Sequence, residues 1–437
     1  MTTVAQLAHS LQSVFTTTAE TAARTSGFIQ RQRKLTGPAF VQGLVFGWLA
    51  HPAATYDQLV QAIARAGACI SPQALEQRFT DAAATCLATV LEAASTAVLC
   101  TDAVGASLLT RFSAVWLLDS STVRLPDVYA EDWPGSGEAD SAGAKLHVLL
   151  DLVSGALQGP ALTPGRPHDK HSPLQPVAIP PGALRITDLG FYALTRLRQI
   201  GDAKAYWLCR AQVQTHLTTA DGRTWTLRAL LQAQRGDVVD LAVTLGATEH
   251  LPARLIAFRL DGQAAERRRR QLRRRAQRKR QPVSTDRLAL AGWDISVTNV
   301  PTTLLSAEES RILLRARWQI ELLFKRWKSQ GKIAVSRSQH AARIRCELSA
   351  KLLGQLITHW CSVLGAWRFL DRSLVKVTRV VQDHATALAL ALPSRRQLAH
   401  VLRLLIASCQ TGCRVNRRAT KPNHCQLIQE SARAALT

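Results

Sequence analysis

The sequence predicts an α/β protein in which a strand-rich centre lies between two helical regions. Residues 1–105 are rich in alanine and show helical periodicity, whereas residues 106–210 contain short apolar runs separated by turns. Further strand-like runs follow in residues 211–305, and helical periodicity returns after residue 306. The chain has 437 residues, 47% of them apolar, which is enough for several domains and a sizeable core.

The N-terminal helical region contains a candidate helix–turn–helix. One helix is predicted over 56–66, and Ser71-Pro72, an N-cap and first-turn pair, opens a second helix over 73–79. This arrangement is used by DNA-binding proteins, and it is equally the arrangement of an ordinary helical hairpin. If it binds DNA, the side chains that face the groove are expected to be Gln73, Gln77 and Arg78.

Two acids follow strand-like runs in the next region. Asp119 follows the run 114–118 and opens the sequence Asp-Ser-Ser-Thr, while Asp188 follows the run 184–187 and opens Asp-Leu-Gly-Phe-Tyr. We interpret both sequences as turns that end a buried strand. Acids at the ends of neighbouring strands can approach each other at the rim of a sheet, where a divalent cation relieves their repulsion. The remaining elements predicted here are strands at 145–150, 155–158 and 206–209 and a helix at about 192–200.

Residues 211–305 combine predicted strands with a strongly basic run. The strands are expected at 238–243, 253–259 and 293–298. Residues 266–280 carry ten basic side chains, which as a helix or mobile arm would lie against DNA phosphates; a solvated charged helix is the alternative. The arginines singled out for DNA contact are Arg267, Arg268, Arg269, Arg270, Arg273, Arg274 and Arg275.

A single acid stands among cations in the segment 314–328, which we expect to be one helix. Helical spacing puts Arg317, Glu321, Lys325 and Lys328 on one face, so one potential metal ligand is framed by three phosphate-binding cations. A solvated face with ordinary helical ion pairs is the alternative interpretation.

These motifs together resemble a known family. Asp119, Asp188 and Glu321, with the spacing Arg317-x3-Glu321-x6-Lys328, are similar to the DDE triad and signature of bacterial insertion-sequence transposases of family four. The resemblance extends to 206–210, after the second acid, and to 297–299, before the signature helix, and so covers most of the chain. One departure is visible, because Leu314 stands where the signature has tyrosine.

The resemblance implies a fold and a domain plan. It implies a ribonuclease-H-like catalytic domain with a β-rich insertion, flanked by helical regions. The expected segments are a helical DNA-binding domain (1–105), the two parts of the catalytic core (106–210 and 306–370), the insertion with its basic run (211–305) and a C-terminal helical region (371–437).

The resemblance also implies an activity, which is metal-dependent cleavage and strand transfer of an insertion sequence, a cut-and-paste DNA transposition. Asp119, Asp188 and Glu321 would hold Mg²⁺ or Mn²⁺, and Arg317, Lys325 and Lys328 would orient phosphates. Arg210, at the end of a predicted strand, is a further phosphate candidate. In position, Trp293 resembles a tryptophan on which some family members stack a flipped base, although a tryptophan that begins a strand usually lies in the core.

Two other functions are compatible with the same motifs. The chain could be a catalytically silent DNA-binding protein derived from a transposase, and metal-dependent cleavage of cognate ends would separate the two. It could also be a structure-selective DNA nuclease with the same metal site, which would yield no joined DNA.

Charge and cysteine content agree with a nucleic-acid partner inside the cell. Lysine and arginine number 55 against 31 acids, a net charge of +24, which suits a polyanion such as DNA. The resemblance implies that the partner is double-stranded DNA at the element ends and target, bound by a homodimer. The sequence shows no secretory signal and no apolar run long enough for a membrane span, so we expect a cytoplasmic, nucleoid-associated protein. Free thiols are expected for the nine cysteines, with a zinc site at Cys409, Cys413, His424 and Cys425 as the alternative.

Overall fold

The computed structural model describes residues 2–31, 34–136, 141–278 and 280–415. The chain divides into two compact units that are interleaved in sequence. Unit 1 comprises Met1–Thr110, Leu118–Pro176 and Trp318–Thr437. Unit 2 comprises Arg111–Leu117 and Val177–Arg317. The described residues form a mixed α/β structure with flanking helices, as the sequence predicts.

The N-terminal part of unit 1 is helical. Its helices are α1 (Val4–Ser13), α2 (Ala19–Thr25), α3 (Gly37–Ala50), α4 (Tyr56–Arg65), α5 (Pro72–Glu76), α6 (Asp81–Ser95) and α7 (Ser107–Thr110). Threonine or serine side chains cap several of their first turns; Thr55 accepts from the Gln58 amide, and Ser71 accepts from the Ala74 amide. Helix α3 can lie close to α4 because Gly43 has no side chain, and a Cβ there would be 2.7 Å from the Ile63 Cα.

The predicted helix–turn–helix is present as α4 and α5, but the second helix is shorter than expected. Helix α5 ends at Glu76 instead of reaching 79, because Phe79 turns inward to the core, where it is 3% exposed and packs beside Trp48 and Tyr56. Gln73, Gln77 and Arg78 are exposed as predicted. Their role in DNA binding stays a prediction.

Three strands of unit 1 follow in the order β3-β2-β1. They are β1 (Val115–Leu125), whose first three residues belong to unit 2, β2 (Ala142–Asp151) and β3 (Leu157–Pro164). The prediction that β1 ends before Asp119 was wrong, since the strand continues through the Asp-Ser-Ser-Thr sequence to Leu125. Residues such as Thr122 and Val123 favour a strand, and Val123 and Leu125 alternate inward with the solvent-facing Arg124.

Unit 2 contains the remaining strands, with neighbours in the order β1-β4-β5-β10-β9-β8-β6-β7. In chain order its elements are β4 (Leu184–Thr187), α8 (Leu194–Asp202), β5 (Tyr206–Arg210), β6 (His216–Thr219), β7 (Thr224–Thr226), α9 (Leu227–Gln232), β8 (Val238–Leu245), β9 (Leu251–Arg259), α10 (Gly262–Arg278), α11 (Thr285–Leu290), β10 (Trp293–Thr298) and α12 (Ala307–Ala316). Strands β4 and β5 are parallel and joined through α8. The other strand pairs from β5 to β7 are antiparallel. The core between them includes Trp207, Leu255 and Val297.

The chain then returns to unit 1 through a second set of helices. These are α13 (Trp318–Ser329), α14 (Ala341–Gly365), α15 (Leu374–Asp383), α16 (Ala385–Ala391) and α17 (Arg395–Thr411). Helix α14 is buried along nearly its whole length against α3, α6 and α17, so its polar side chains, among them Lys351 and Glu347, must find partners inside the protein. Unit 1 is therefore built around this helix.

Candidate active site

Strand β1 carries the first predicted acid. Asp119 is half-buried, and its Oδ1 accepts a hydrogen bond of 2.8 Å from the Ser120 amide. The Ser120 hydroxyl in turn donates to Asp169 at 2.6 Å. Asp169 thus holds the residue next to Asp119.

Asp169 is itself fixed by a buried lysine on β2. Lys145 is 8% exposed, and its Nζ donates to the Asp169 carboxylate at 3.0 Å and to the Pro167 carbonyl. Burial by itself would raise the pKa of Asp169, but the hydrogen bonds from Ser120 and Lys145 lower it below its usual value. Burial also lowers the pKa of the nearby His147 to about 4, so this ring is neutral at pH 7.

The second acid follows β4, as predicted. Asp188 begins a short 3-10 turn over 189–191 and is half-buried. No described residue forms a hydrogen bond or an ion pair with its side chain. A half-buried carboxylate without a partner in the described part of the protein is a suitable ligand for an external cation.

The third acid lies in α13, within the signature segment 314–328. The secondary structure of this segment differs from the prediction. The sequence predicts one helix over 314–328, but α12 ends at Ala316 and α13 begins at Trp318, with Arg317 between them. Each half buries its own apolar residues, Leu313 and Ala316 in unit 2 and Ile320 and Leu323 in unit 1. The break therefore falls where the chain passes from one unit to the other.

Within α13, Glu321 and Lys328 are two turns apart and therefore share a face. Glu321 is half-buried and Lys325 is exposed. Lys328 donates a hydrogen bond of 2.9 Å from its Nζ to the carbonyl of Thr122 in β1, and burial lowers the pKa of this lysine. The signature lysine thus joins the helix of the third acid to the strand of the first.

Two of the DNA-binding residues predicted in unit 2, Arg210 and Arg268, lie beside a carboxylate that the sequence did not reveal. Asp294 in β10 has a side chain 17% exposed and lies 3.2 Å from Arg268, 3.5 Å from Arg210 and 3.5 Å from Arg311. One carboxylate among three guanidinium groups leaves this cluster positively charged. It draws together side chains from four elements, β5, α10, β10 and α12.

Trp293 is in the core of unit 2. Its side chain is 8% exposed, and the Arg259 guanidinium is 4.3 Å from the centroid of its ring. In this conformation Trp293 is a core residue. A base could stack on its ring only if Arg259 and the surrounding strand residues moved. Base stacking at Trp293 stays a prediction.

Comparison with protein families identifies the region that contains the three acids. A family model described as a transposase DDE domain matches residues 110–355, more than half of the chain, including Asp119, Asp188 and Glu321. The chain belongs to the transposase DDE-domain family.

Curated transposases are similar to this chain over more than half of their own length. The transposase for insertion sequence element IS231F of Bacillus thuringiensis subsp. israelensis is 26% identical over 434 residues, covering 92% of this chain and 90% of the relative. The transposase for IS231C of subsp. berliner is 29% identical over 402 residues, covering 84% and 83%. The transposase for IS1151 of Clostridium perfringens is 22% identical over 272 residues, covering 58% of each chain. The chain is a DDE transposase, as its sequence motifs predict.

The acids of this DDE transposase are divided between the units, with Asp119 and Glu321 in unit 1 and Asp188 in unit 2. Among the described residues, no three His, Cys, Asp or Glu side chains are grouped closely enough to hold a metal ion by themselves. None of the helices in the described ranges has the length and apolar character needed to span a bilayer. Of the candidate zinc ligands, Cys409 and Cys413 are buried free thiols, while His424 and Cys425 lie outside the described residues.

Sequence reasoning did not identify Asp294 or Asp169 as residues that hold their neighbours in place. No local signal could have found them, since Asp294 is one acid in an apolar strand and its arginine partners come from other segments. The Asp169 partners lie 24 and 49 positions away in the sequence. Both roles depend on contacts between distant parts of the chain.

Replacing Lys328 with methionine is expected to lower the rate of DNA cleavage by about 10–100-fold at saturating DNA, because loss of the Thr122 contact frees α13 from β1. Cleavage rate and DNA affinity should be measured separately. Lys325→Met is the matched control, since this lysine is exposed on the same helix; it should change the affinity and its salt dependence more than the rate. A Lys328→Met variant that lost affinity but kept the full rate would contradict the positioning role.

Proposed function

We propose that this chain catalyses metal-dependent cleavage and strand transfer at the ends of an insertion sequence, moving it by a cut-and-paste route. The observation that carries the proposal is the set of elements bearing the acids. Asp119 lies within β1, Asp188 directly follows β4, and Glu321 lies in α13, which Lys328 joins to β1. These positions are those expected of a ribonuclease-H-like catalytic domain, the fold that the DDE family implies.

The three acids fit a divalent cation chemically. All are carboxylates, which offer the hard oxygen ligands that Mg²⁺ and Mn²⁺ prefer, and the Asp188 side chain has no partner among the described residues. Asp119, Asp188 and Glu321 would hold two such ions. When bound, the ions lower the pKa of a water or 3′-hydroxyl nucleophile and neutralise charge on the attacked phosphate.

The protein's own cations would position the DNA. Lys325 is exposed beside Glu321, and Arg317 lies at the junction of α12 and α13, so both are candidates for phosphate contacts next to the acids. In unit 2, Arg210 belongs to the positively charged cluster around Asp294. Preorganised cations of this kind orient a phosphodiester without forming a covalent intermediate.

The proposal includes the partners and the domain plan expected from the sequence. The substrate is double-stranded DNA at the element ends and at the target, bound by a homodimer, in the cytoplasm close to the nucleoid. The helical segment 1–105 would assist DNA binding, the segments 106–210 and 306–370 would form the catalytic core, and 211–305 would be the insertion. The segment 371–437, part of which lies outside the described residues, would contribute DNA or dimer contacts.

The decisive experiment incubates the purified protein with the flanking DNA of its own element and Mg²⁺, and resolves the products on a denaturing gel. We expect nicks at the element ends and joining into target DNA, both lost in Asp188→Ala because a metal ligand is removed. Asp202→Ala, an exposed acid on α8 in the same unit, is the matched control and should be fully active. Binding without any cut would favour the silent DNA-binding alternative, and cutting without joining would favour the nuclease.

A further inference from the structure

Helix α10 has two sides with different roles. It contains eight arginines and one acid, Glu266. On the inner side Ala265 is buried, the Arg268 guanidinium donates to the Trp293 carbonyl at 2.8 Å and to Asp294 at 3.2 Å, and Arg269 donates to the Leu288 carbonyl at 3.4 Å. These contacts fix the helix to the start of β10 and to the end of α11.

The outer side is a continuous row of arginines. At 100° per residue, Arg267, Arg270, Arg274 and Arg278 fall within an arc of about 80°, away from Arg268 and Arg269. All four are exposed. We call this row the arginine ridge.

The charge of the ridge is poorly compensated within the protein. Glu266 lies 3.7 Å from Arg269, 3.3 Å from Arg270 and 3.6 Å from Arg273. The other three members of the ridge form no ion pair with any residue in the described ranges. Like charges three or four positions apart on a helix repel each other, so the ridge is stabilised when an anion lies along it.

The length of the ridge matches a polyanion better than a single small anion. From Arg267 to Arg278 the helix rises about 16 Å, and over that distance one strand of a duplex presents about five phosphates. The ridge offers guanidinium groups at four points along this path, spaced to contact successive phosphates, while the exposed amides of Gln271 and Gln277 lie at its edges.

We propose that the arginine ridge docks on the sugar–phosphate backbone of duplex DNA without reading its sequence, and that Arg268 and Arg269 position the helix and make no DNA contact. This inference rests on the proposed function, since DNA is the substrate of that function. It reduces the set of arginines predicted to bind DNA, because it excludes Arg268 and Arg269. It also adds Arg278 to this set.

The test measures how the affinity of the full-length protein for a random-sequence duplex varies with salt between 50 and 200 mM, by fluorescence anisotropy. The variant R267Q/R274Q/R278Q removes the three ridge arginines that form no ion pair with the described residues. Each lost phosphate contact removes about 0.9 from the slope of log affinity against log salt, so we expect the slope to fall by about 2.7.

Two controls separate docking from general charge and from folding. R223Q/R235Q/R287Q removes the same charge from exposed arginines of unit 2 outside α10, and should change the slope by less than about 1. R268Q should lower the melting temperature and leave the slope unchanged, because it removes the contacts with Trp293 and Asp294. Equal slopes for the two triple variants, or a ridge variant with the wild-type slope, would overturn the proposal.

The same preparations distinguish this proposal from the proposed function. Cleavage of element ends by the wild-type protein is assayed at low salt with saturating protein. If the wild-type protein does not cut at all, the proposed function fails while the binding comparison still decides the role of the ridge.

Discussion

Glu321→Gln is expected to abolish both nicking of element ends and strand transfer, by about 10³-fold or more. The substitution keeps the size of the side chain but replaces a carboxylate with a neutral amide, which is a much poorer ligand for Mg²⁺. Loss of several kcal/mol of charge stabilisation on the attacked phosphate corresponds to this factor, at about 1.4 kcal/mol per tenfold in rate. Single-turnover cleavage of labelled element ends in Mg²⁺ gives the measurement.

The binding of the Glu321→Gln protein to DNA should be retained or slightly strengthened, because one negative charge near the DNA is removed. Glu308→Gln is the matched control, since Glu308 is exposed in the first turn of α12 and is no part of the triad. It should cut at the wild-type rate. Strand transfer by Glu321→Gln at the wild-type rate in Mg²⁺ would refute the assignment of Glu321 as a metal ligand.

Lys351→Met should destabilise the protein by about 3–5 kcal/mol, the usual consequence of removing one partner from a buried ion pair. Lys351 and Glu347 in α14 have side chains 2% and 7% exposed and are 2.6 Å apart. The lysine also donates to the carbonyls of Lys332 and Val335, and Glu347 accepts from the Ser336 hydroxyl. Without the lysine, Glu347 remains as a buried charge and the segment after α13 loses its attachment. Urea unfolding followed by circular dichroism measures the change.

The double variant Lys351→Met/Glu347→Leu separates the charge effect from the packing effect. Because it leaves no unpaired buried charge, it should recover much of the lost free energy of unfolding. If Lys351→Met lowered the free energy of unfolding by less than about 1 kcal/mol, water would reach the Glu347 carboxylate and the pair would not behave as a buried ion pair.

Much of the fold could be predicted from the sequence because local patterns report burial. The apolar run at 184–187 became β4, and the run at 206–209 became β5 with one more residue. The basic run became helix α10, and its strong charge predicted exposure for Arg267, Arg270 and Arg274. In these segments the spacing of apolar residues, or the lack of apolar residues, is a property of the local sequence and requires no distant contact.

Boundaries were predicted less well, for reasons that lie outside the segment. Strand β1 runs past Asp119 to Leu125, although four half-buried residues, 119 to 122, interrupt its apolar pattern. The signature helix is broken at Arg317, because its two halves pack into different units. No local pattern contains that information, since the apolar spacing continues across the break.

The sequence by itself determined the class of the protein and its candidate acids, Asp119, Asp188 and Glu321, because triad motifs and net charge are properties of the residues alone. Only the tertiary structure decided what the surrounding residues do. It joined Lys328 to Thr122, fixed Asp169 beside Ser120, buried Trp293 under Arg259, and turned Arg268 inward to Asp294. These roles depend on partners that are distant in the chain, and such partners are chosen by packing and by the need to satisfy buried charges.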